Sequence, residues 1–375
     1  MYLNEFLSFL TTRQIAMNRN QLIFTPGPVK EYPEISELGG LQTPYFRNQA
    51  FSDVVLETEQ QLLQLANAPK GSRAVLLTAS GTAAMEAAVL NLIAPKHKTV
   101  SVISGGFGQR FADICRVHQR QHSPYHPEFD DDLSDTSSLM PFSDHDALLI
   151  NGHETSICHR FNLDKVGQFC HENQLLHIVD AISMFLTDEL DMQSQHIDAL
   201  IVSSQKALAL PPGVAIIILS PKAIAKLLPE PASLYFNLTD YLRDGERGQT
   251  PYTPAVSIIL QLHQRLLQIA SRGGLKAEIA KTKEVAQFFR KGIAKLPLTF
   301  FSTHMANSVT GLSPTDGTSA TQLVKEFEAR YQMVLCPNGG ELADTLFRVS
   351  HMGNITIQDT QLLLDALHDY FGVNQ

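Results

Sequence analysis

The sequence predicts an α/β fold built on a mostly parallel sheet with helices on both faces. From about residue 73 to residue 220, short runs of β-branched residues and leucine alternate with amphipathic stretches. The run Val214–Leu219 is apolar along its whole length, as is typical of a strand buried on both faces. Alternation of such strands with helices is the pattern of repeated βαβ units.

The apolar runs predict the individual strands of this first region, and the amphipathic stretches predict its helices. The predicted strands are Ala74–Leu77, Val100–Ile103, Ala147–Ile150, Leu176–Val179, Leu200–Val202 and Val214–Leu219. The predicted helices are Thr82–Leu92, Gln109–His118 and Leu163–His171. Pro95 closes the first helix because proline cannot continue the helical hydrogen-bond ladder.

The second half of the chain predicts a smaller lobe. A helix over Val256–Ala270 is followed by the break Arg272–Gly274 and a second helix over Lys276–Lys295. Further strands and helices are predicted at Thr299–Phe301, Ala320–Tyr331, Met333–Cys336, Leu346–His351 and Ile357–Tyr370. Because 375 residues exceed one ordinary core, we predict an N-terminal arm (1–20), a large domain (21–258) and a small C-terminal α/β domain (259–375).

Composition and charge favour a protein of the cytoplasm that binds small molecules. The net charge is −9, with 29 Lys and Arg scattered among 38 Asp and Glu, which argues against a nucleic-acid-binding surface. No apolar run is long enough to span a bilayer, and the first twenty residues lack a secretory cleavage site. The four cysteines form no CxxC pair, so we expect neither a disulfide framework nor a metal site.

Two segments carry candidate binding and catalytic residues after predicted strands. Ser80, Gly81 and Thr82 open an Ala-rich helix, whose free N–H groups can bind a phosphate; an ordinary N-cap is the alternative. Lys206 lies between the strand Leu200–Val202 and a Pro-Pro-Gly turn. Burial favours the neutral amine, which attacks carbonyls or forms Schiff bases, whereas the alternative is a solvated loop lysine.

Three further residues are candidates because of the elements they lie on. Asp180 ends an apolar strand at the ligand-binding edge of the sheet, where it can pair with a cationic ring nitrogen or simply cap the next turn. Phe107 lies between glycines and can stack on a planar ring, although core packing is the commoner fate of phenylalanine. Arg348, inside an alternating strand, suits a carboxylate ligand; an exposed-face arginine is the alternative.

The order of these segments resembles that of the fold type I pyridoxal-phosphate enzymes. In detail the chain is similar to the class V aminotransferases of the alanine-glyoxylate, serine-glyoxylate and 2-aminoethylphosphonate-pyruvate group. The matching segments are Phe24–Pro28, Ser80–Ala87, Asn151–Ser156, Ser204–Lys206, Thr250–Pro254 and Phe347–Gly353. The resemblance covers nearly the whole chain and implies a large domain with a mostly parallel seven-stranded sheet and a smaller C-terminal α/β domain.

The resemblance also implies a cofactor and the residues that hold it. Pyridoxal 5′-phosphate would form a Schiff base with Lys206 and place its pyridine nitrogen on Asp180. Phe107 would stack on the ring, and Thr155 would hydrogen-bond the ring hydroxyl. The implied phosphate ligands are Ser80, Gly81, Thr82 and Gln205, together with Thr250 and Thr253 of a neighbouring subunit. The active unit is then a homodimer with shared sites.

The implied reaction is transfer of an amino group from a small amino acid of the alanine or serine type to glyoxylate or pyruvate. Arg348 would bind the acid group of the substrate, and Gly27 and Arg47 would line the entrance. A first alternative is 2-aminoethylphosphonate as donor, with its phosphonate on Arg348. A lyase or desulfurase and a non-catalytic scaffold are further alternatives. Cys336 is interpreted as a structural thiol, because its surroundings do not resemble the mobile cysteine loop of desulfurases.

Overall fold

The computed structural model describes residues 21–373, and the predicted N-terminal arm (1–20) lies outside them. The strands are β1 (Leu22–Ile23), β2 (Arg73–Thr78), β3 (Thr99–Val102), β4 (His122–Tyr125), β5 (Ala147–Asn151), β6 (His153–Glu154), β7 (His159–Arg160), β8 (Leu176–Asp180), β9 (Ala199–Ser203), β10 (Val214–Leu219), β11 (Leu298–Phe300), β12 (Val309–Pro314), β13 (Met333–Val334), β14 (Cys336–Pro337) and β15 (Phe347–Ser350).

The helices include all those that the sequence predicted and several that it did not. They are α1 (Pro33–Gly39), α2 (Gln49–Leu65), α3 (Gly81–Leu92), α4 (Gly106–Val117), α5 (Leu163–Glu172), α6 (Pro221–Ala225), α7 (Leu238–Gly245), α8 (Val256–Ser271), α9 (Gly274–Gly292), α10 (Ala320–Tyr331) and α11 (Ile357–Phe371). Within residues 21–373, no helix is both long and apolar enough to cross a membrane.

The main sheet has seven strands in the order β2-β10-β9-β8-β5-β3-β4. Strand β10 is antiparallel to both of its neighbours, and the remaining pairs are parallel. The mostly parallel seven-stranded sheet is therefore confirmed. Because every strand except β10 runs the same way, the carboxyl ends of β2, β3, β5, β8 and β9 meet at one edge, where open α/β sheets bind ligands.

Both faces of this sheet are covered, as its apolar strands predicted. All six residues of β10 are buried. In β2, Leu76 packs into the core with α2 and α8, while Val75 and Leu77 pack on the opposite face with α3. Because side chains alternate along a strand with a period of two, neighbouring residues of a strand pack in different cores.

A second, four-stranded antiparallel sheet has the order β11-β12-β15-β14 and packs with α9, α10 and α11 in a third core. The predicted strand Met333–Cys336 is split in two: β13 pairs with β1, whereas β14 pairs with β15. The predicted domain boundary after residue 258 falls inside α8, and the division into domains stays a prediction.

Candidate active site

Lys206 lies three residues beyond β9, at the edge where the parallel strands end. A Cβ atom on Gly27 would lie 2.8 Å from Lys206 Nζ, so glycine at this position leaves room for the amine. Burial lowers the Lys206 pKa from 10.5 to about 8; Asp180 opposes the shift, and Arg348 adds to it. About a tenth of the amine is therefore neutral at pH 7, and because the side chain is half-buried, a fully solvated loop lysine does not describe this residue.

Asp180, the last residue of β8, is a buried carboxylate. Its Oδ1 accepts a hydrogen bond from the backbone N–H of Ile182 at 2.9 Å, so it does cap the following turn. Its Oδ2 accepts one from Asn151 Nδ2 at 2.6 Å. Burial raises the Asp180 pKa from 3.8 to about 6, which means that a cation beside it would be strongly favoured.

The turn between β2 and α3 leaves helix N–H groups available. Ser80 is the N-cap residue of α3, but its side chain makes no capping hydrogen bond. Gly81 approaches the neighbouring segments closely, since a Cβ atom there would collide with Ile182 and lie 3.3 Å from Ser203 Cβ. An unfilled helix N-terminus with close backbone approach is suited to a phosphate.

Two linked contacts connect this turn to its neighbours. Thr82 Oγ1 accepts a hydrogen bond from Arg110 Nη1 at 3.0 Å, and the Arg110 guanidinium lies 4.7 Å from the ring centroid of Phe107. Gln205 Oε1 accepts a hydrogen bond from Ser203 Oγ at 2.6 Å. Phe107 is half-buried rather than a core residue, which leaves ring surface for another planar group.

Thr155 is buried and shares a short hydrogen bond with Ser183 Oγ. Ser183 Oγ also lies 3.1 Å from His153 Nδ1. Burial lowers the His153 pKa to about 3, so its imidazole is neutral. These contacts fix the Thr155 hydroxyl beside the end of β8.

Arg348 lies on β15 and reaches the main-sheet side of the molecule. Its Nη1 donates to the Thr155 carbonyl at 3.1 Å and its Nη2 to the Pro337 carbonyl at 2.7 Å. Its Nε is buried and has no hydrogen-bond partner among the described residues. After burial, the Arg348 charge also helps to lower the Lys206 pKa.

Three predicted residues form a separate group. The Arg47 guanidinium donates to Gln249 Oε1 at 3.3 Å and to the Thr250 carbonyl at 3.0 Å. Thr250 Oγ1 donates to the Tyr252 carbonyl at 2.7 Å, and Thr253 is exposed. The hydrogen bonds of Arg47 and Thr250 go to residues 249–252, and none of them joins this group to Lys206, Asp180 or Arg348.

The residues around Lys206 fit pyridoxal 5′-phosphate. The buried atoms Asn151 Oδ1, His153 Nε2 and Arg348 Nε have no hydrogen-bond partner within residues 21–373, which is typical of polar groups that await a ligand. Asp180 is a buried anion suited to a ring cation, and the α3 N-terminus is suited to a phosphate. Among the same residues, no group of three or more His, Cys, Asp or Glu side chains is placed to hold a metal ion.

Several site residues received no role from the sequence. Asn151 pairs in register with Asp180 across β5 and β8, so its place at a strand end was a usable signal. Arg110 lies one helical turn after Phe107, whereas Ser183 and Glu154 follow no pattern that marks them. Cys336, interpreted as structural, lies near enough to Arg348 and Lys206 to feel both charges, although burial raises its pKa overall.

Comparison with known proteins agrees with this geometry. Residues 42–315 match the family model described as Aminotransferase class-V. An uncharacterized aminotransferase from Helicobacter pylori is 30% identical over 351 residues, covering 92% of each chain. A 2-aminoethylphosphonate-pyruvate transaminase from Pseudomonas entomophila is 28% identical over 291 residues, covering 76% of this chain and 78% of the relative. The alanine-glyoxylate aminotransferase structure from Nostoc sp. has a TM-score of 0.87 at 21% identity, covering 93% and 94%.

Proposed function

The chain belongs to the class V aminotransferases, which use pyridoxal 5′-phosphate, and on this premise we propose that it moves an amino group from a small amino acid to a 2-oxo acid. The donor is of the alanine or serine type, and the acceptor is glyoxylate or pyruvate. The single observation that supports this best is the half-buried Lys206, whose pKa is lowered to about 8 by burial and responds to the charges of Asp180 and Arg348.

Lys206 has two tasks in this proposal. Its neutral amine would hold the cofactor through the aldehyde carbon, and once free, Nζ would take the proton from the donor α-carbon. The bound cofactor supplies the electrophilic carbon that accepts the amino group and the ring that holds the electron pair. The lowered pKa of Lys206 suits both tasks, because a fully protonated amine can neither attack nor accept a proton.

The remaining cofactor roles follow from placement at the same edge of the sheet. Asp180 pairs with the ring nitrogen and keeps it protonated, while Asn151 holds the second carboxylate oxygen. Phe107 lies against the ring, and Thr155 donates to the ring hydroxyl. The phosphate is held at the start of α3 by Ser80, Gly81 and Thr82, with Gln205 opposite.

Arg348 sets the substrate class. Two of its nitrogens already donate to backbone carbonyls, which fixes the plane of the guanidinium, and its unpartnered Nε is left to bind an acid group. With Arg348 as the one residue that binds the substrate acid group, we propose donors with one acid group and a short side chain. This is why alanine and serine are preferred over dicarboxylic amino acids.

A second candidate donor is 2-aminoethylphosphonate. It is favoured by the similarity to the Pseudomonas entomophila transaminase and by a second cation, Arg110, whose charge also reaches Lys206. A phosphonate carries more negative charge than a carboxylate, so two cations suit it. In this version Arg348 holds the phosphonate.

We further propose a homodimer with shared active sites, located in the cytoplasm. Thr250 and Thr253 reach the cofactor phosphate of the neighbouring subunit, which accounts for their separation from Lys206. Leu41 and Tyr45 are 64% and 69% exposed, and such large apolar side chains at the entrance loop suit burial by a second subunit. The four free cysteines suit a reducing compartment.

The test has two parts, the first of which locates the cofactor. Borohydride reduction of the holoenzyme followed by peptide mass mapping should find the reduced adduct on Lys206, and an adduct elsewhere would contradict the proposed role.

The second part is a panel of amino compounds, including alanine, serine, aspartate and 2-aminoethylphosphonate, scored by loss of the visible absorbance of the lysine-bound cofactor. Alanine or serine should react fastest, with glyoxylate or pyruvate restoring the absorbance. A faster reaction with 2-aminoethylphosphonate supports the second candidate. Release of ammonia or sulfide without an acceptor indicates a lyase instead.

A further inference from the structure

Glu154 is a fully buried carboxylate, 0% exposed, and no cationic side chain of the described chain pairs with it. Burying an unpaired carboxylate is costly unless several hydrogen bonds compensate for the lost water. The Glu154 carboxylate must therefore be stabilised by hydrogen bonds from its neighbours.

The compensation comes from the start of α4 and from the next residues of its own segment. Glu154 Oε2 accepts hydrogen bonds from the backbone N–H groups of Phe107 at 3.1 Å and Gly108 at 2.8 Å. Its Oε1 accepts from the backbone N–H of Ser156 at 3.2 Å and from Ser156 Oγ at 2.5 Å. Ser156 Oγ in turn accepts from the backbone N–H of Gly106 at 3.0 Å.

The first turn of α4 is thus capped by residues about 50 positions away in the chain. The N-cap residue itself, Gly105, has no side chain to offer, and a Cβ atom there would lie 2.7 Å from Glu154 Cδ. A negative charge at the positive end of the helix dipole adds to the hydrogen bonds. The first three N–H groups of α4, those of Gly106, Phe107 and Gly108, all depend on this carboxylate and hydroxyl.

We propose that Glu154 is a positioning residue that fixes the ring of Phe107 against the bound cofactor. The inference rests on the proposed stacking role of Phe107. Only two side-chain torsions separate a phenylalanine ring from the backbone of its own residue, so fixing that backbone restricts where the ring can lie. Glu154 fixes the Phe107 backbone directly through a hydrogen bond. The Arg110 guanidinium, one helical turn later, lies against the same ring, so the start of α4 holds the ring and the guanidinium together.

The test compares Glu154→Gln with a matched control. The glutamine has the same shape, but its amide group cannot accept all of these hydrogen bonds. Visible circular dichroism per bound cofactor, which reports ring orientation, should change, and the cofactor should dissociate about tenfold faster.

The control, Glu59→Gln, removes another buried carboxylate, one that accepts from Arg73 Nε at 2.7 Å and the Ala74 N–H at 2.9 Å at the far end of β2. It should lower thermal stability and leave both cofactor signals unchanged.

A double-mutant cycle shows whether Glu154 acts through Phe107. Adding Glu154→Gln to Phe107→Ala should change the dichroism and the dissociation rate no further, because the ring is already absent. Additive effects, or a Glu154→Gln protein that is less stable but has wild-type cofactor signals, overturn the proposal. If Phe107→Ala alone leaves both signals unchanged, the stacking role itself has failed, which is a distinguishable result.

Ser156→Ala provides a second variant if Glu154→Gln does not fold. It removes the hydroxyl that joins Gly106 to the carboxylate and should shift the same two signals in the same direction by a smaller factor. An unchanged dichroism and dissociation rate in this variant also overturns the proposal.

Discussion

At the residue scale, burial moves the pKa values of the two central groups toward each other. The Lys206 pKa falls to about 8 and the Asp180 pKa rises to about 6. Both shifts disfavour the charged form and therefore cost folding free energy in the protein without cofactor. The site is thus prepared for a ligand that removes the lysine charge and places a cation beside the aspartate.

The cost at Lys206 predicts a stability that depends on pH. Because the folded pKa of about 8 lies below 10.5, the penalty is complete below pH 8 and is lost as the pH rises toward 10.5. We expect cofactor-free Lys206→Met to be more stable than the wild type near neutral pH by about 1 to 3 kcal/mol, at about 1.4 kcal/mol for each pKa unit. Urea unfolding from about pH 7 to pH 10 should show this difference shrinking. A constant difference would contradict the assignment of the penalty to the lysine charge.

Asp180→Asn is predicted to retain the cofactor but lose catalysis. The amide cannot keep the ring nitrogen protonated, so the rate of the half-reaction with the best donor should fall about 10²-fold or more. Stopped-flow absorbance measures this rate. Asp188→Asn is the matched control, because Asp188 is another buried carboxylate with a raised pKa, bonded instead to Thr187 and Asn307. Equal losses in both variants would mean that the effect is one of folding.

The sequence located some of these residues and not others for a physical reason. Lys206, Asp180 and the Ser80 turn each follow an apolar strand, and the carboxyl ends of parallel strands meet at one edge, so local pattern and topology sufficed. Glu154 is different. Its partners lie on α4, and no local periodicity distinguishes a glutamate that caps a distant helix from one that is solvated.

At the element scale, the turn between β2 and α3 predicts a specific effect on the cofactor. Gly81→Ala places a methyl group against the Ile182 side chain and near Ser203 Cβ, so the Ile182 side chain or the helix start must shift, at a cost of about 1 to 3 kcal/mol. We expect the cofactor dissociation constant to rise about tenfold or more. Equilibrium titration of the cofactor-free protein measures it.

The control for this change is Gly40→Ala, whose added Cβ atom would have only ordinary contact, 3.4 Å from the Glu37 carbonyl oxygen. It should bind the cofactor as the wild type does. Wild-type affinity in Gly81→Ala would show that the phosphate is held elsewhere.

Elements were predictable where their signals are local. The strand Val214–Leu219 and the helix Ala320–Tyr331 have the same bounds in the structure as in the prediction. By contrast, α4 begins at Gly106, three residues earlier than predicted, because Glu154 and Ser156 cap it from a distance. Strand β4 (His122–Tyr125) was missed because it is an edge strand with a proline, polar enough to lack the pattern of its buried neighbours. Helix α2 was missed although its apolar spacing was available.

At the scale of the whole molecule, one sheet edge gathers the cofactor residues, while Arg348 comes from the second sheet. Strand β15 of that sheet places Arg348 so that its Nη1 donates to the Thr155 carbonyl beside β6. A small movement of one sheet against the other would therefore move the acid-binding group relative to Lys206. Arg47 and Thr250 hydrogen-bond to residues 249–252 and not to the chain's own Lys206, and the proposed sharing of sites predicts how two subunits cooperate.

Hybrid dimers test this prediction directly. Lys206→Ala and the double variant Thr250→Ala, Thr253→Ala should each be nearly inactive as homodimers. If the threonines serve the partner's cofactor, a mixed dimer contains one intact site, built from Lys206 of one subunit and the threonines of the other. Unfolding and refolding an equimolar mixture should then restore about a quarter of wild-type activity, because half of the dimers are mixed and half of their sites are intact. If each subunit used its own threonines, every site would carry a defect, and the mixture would stay as inactive as its parents.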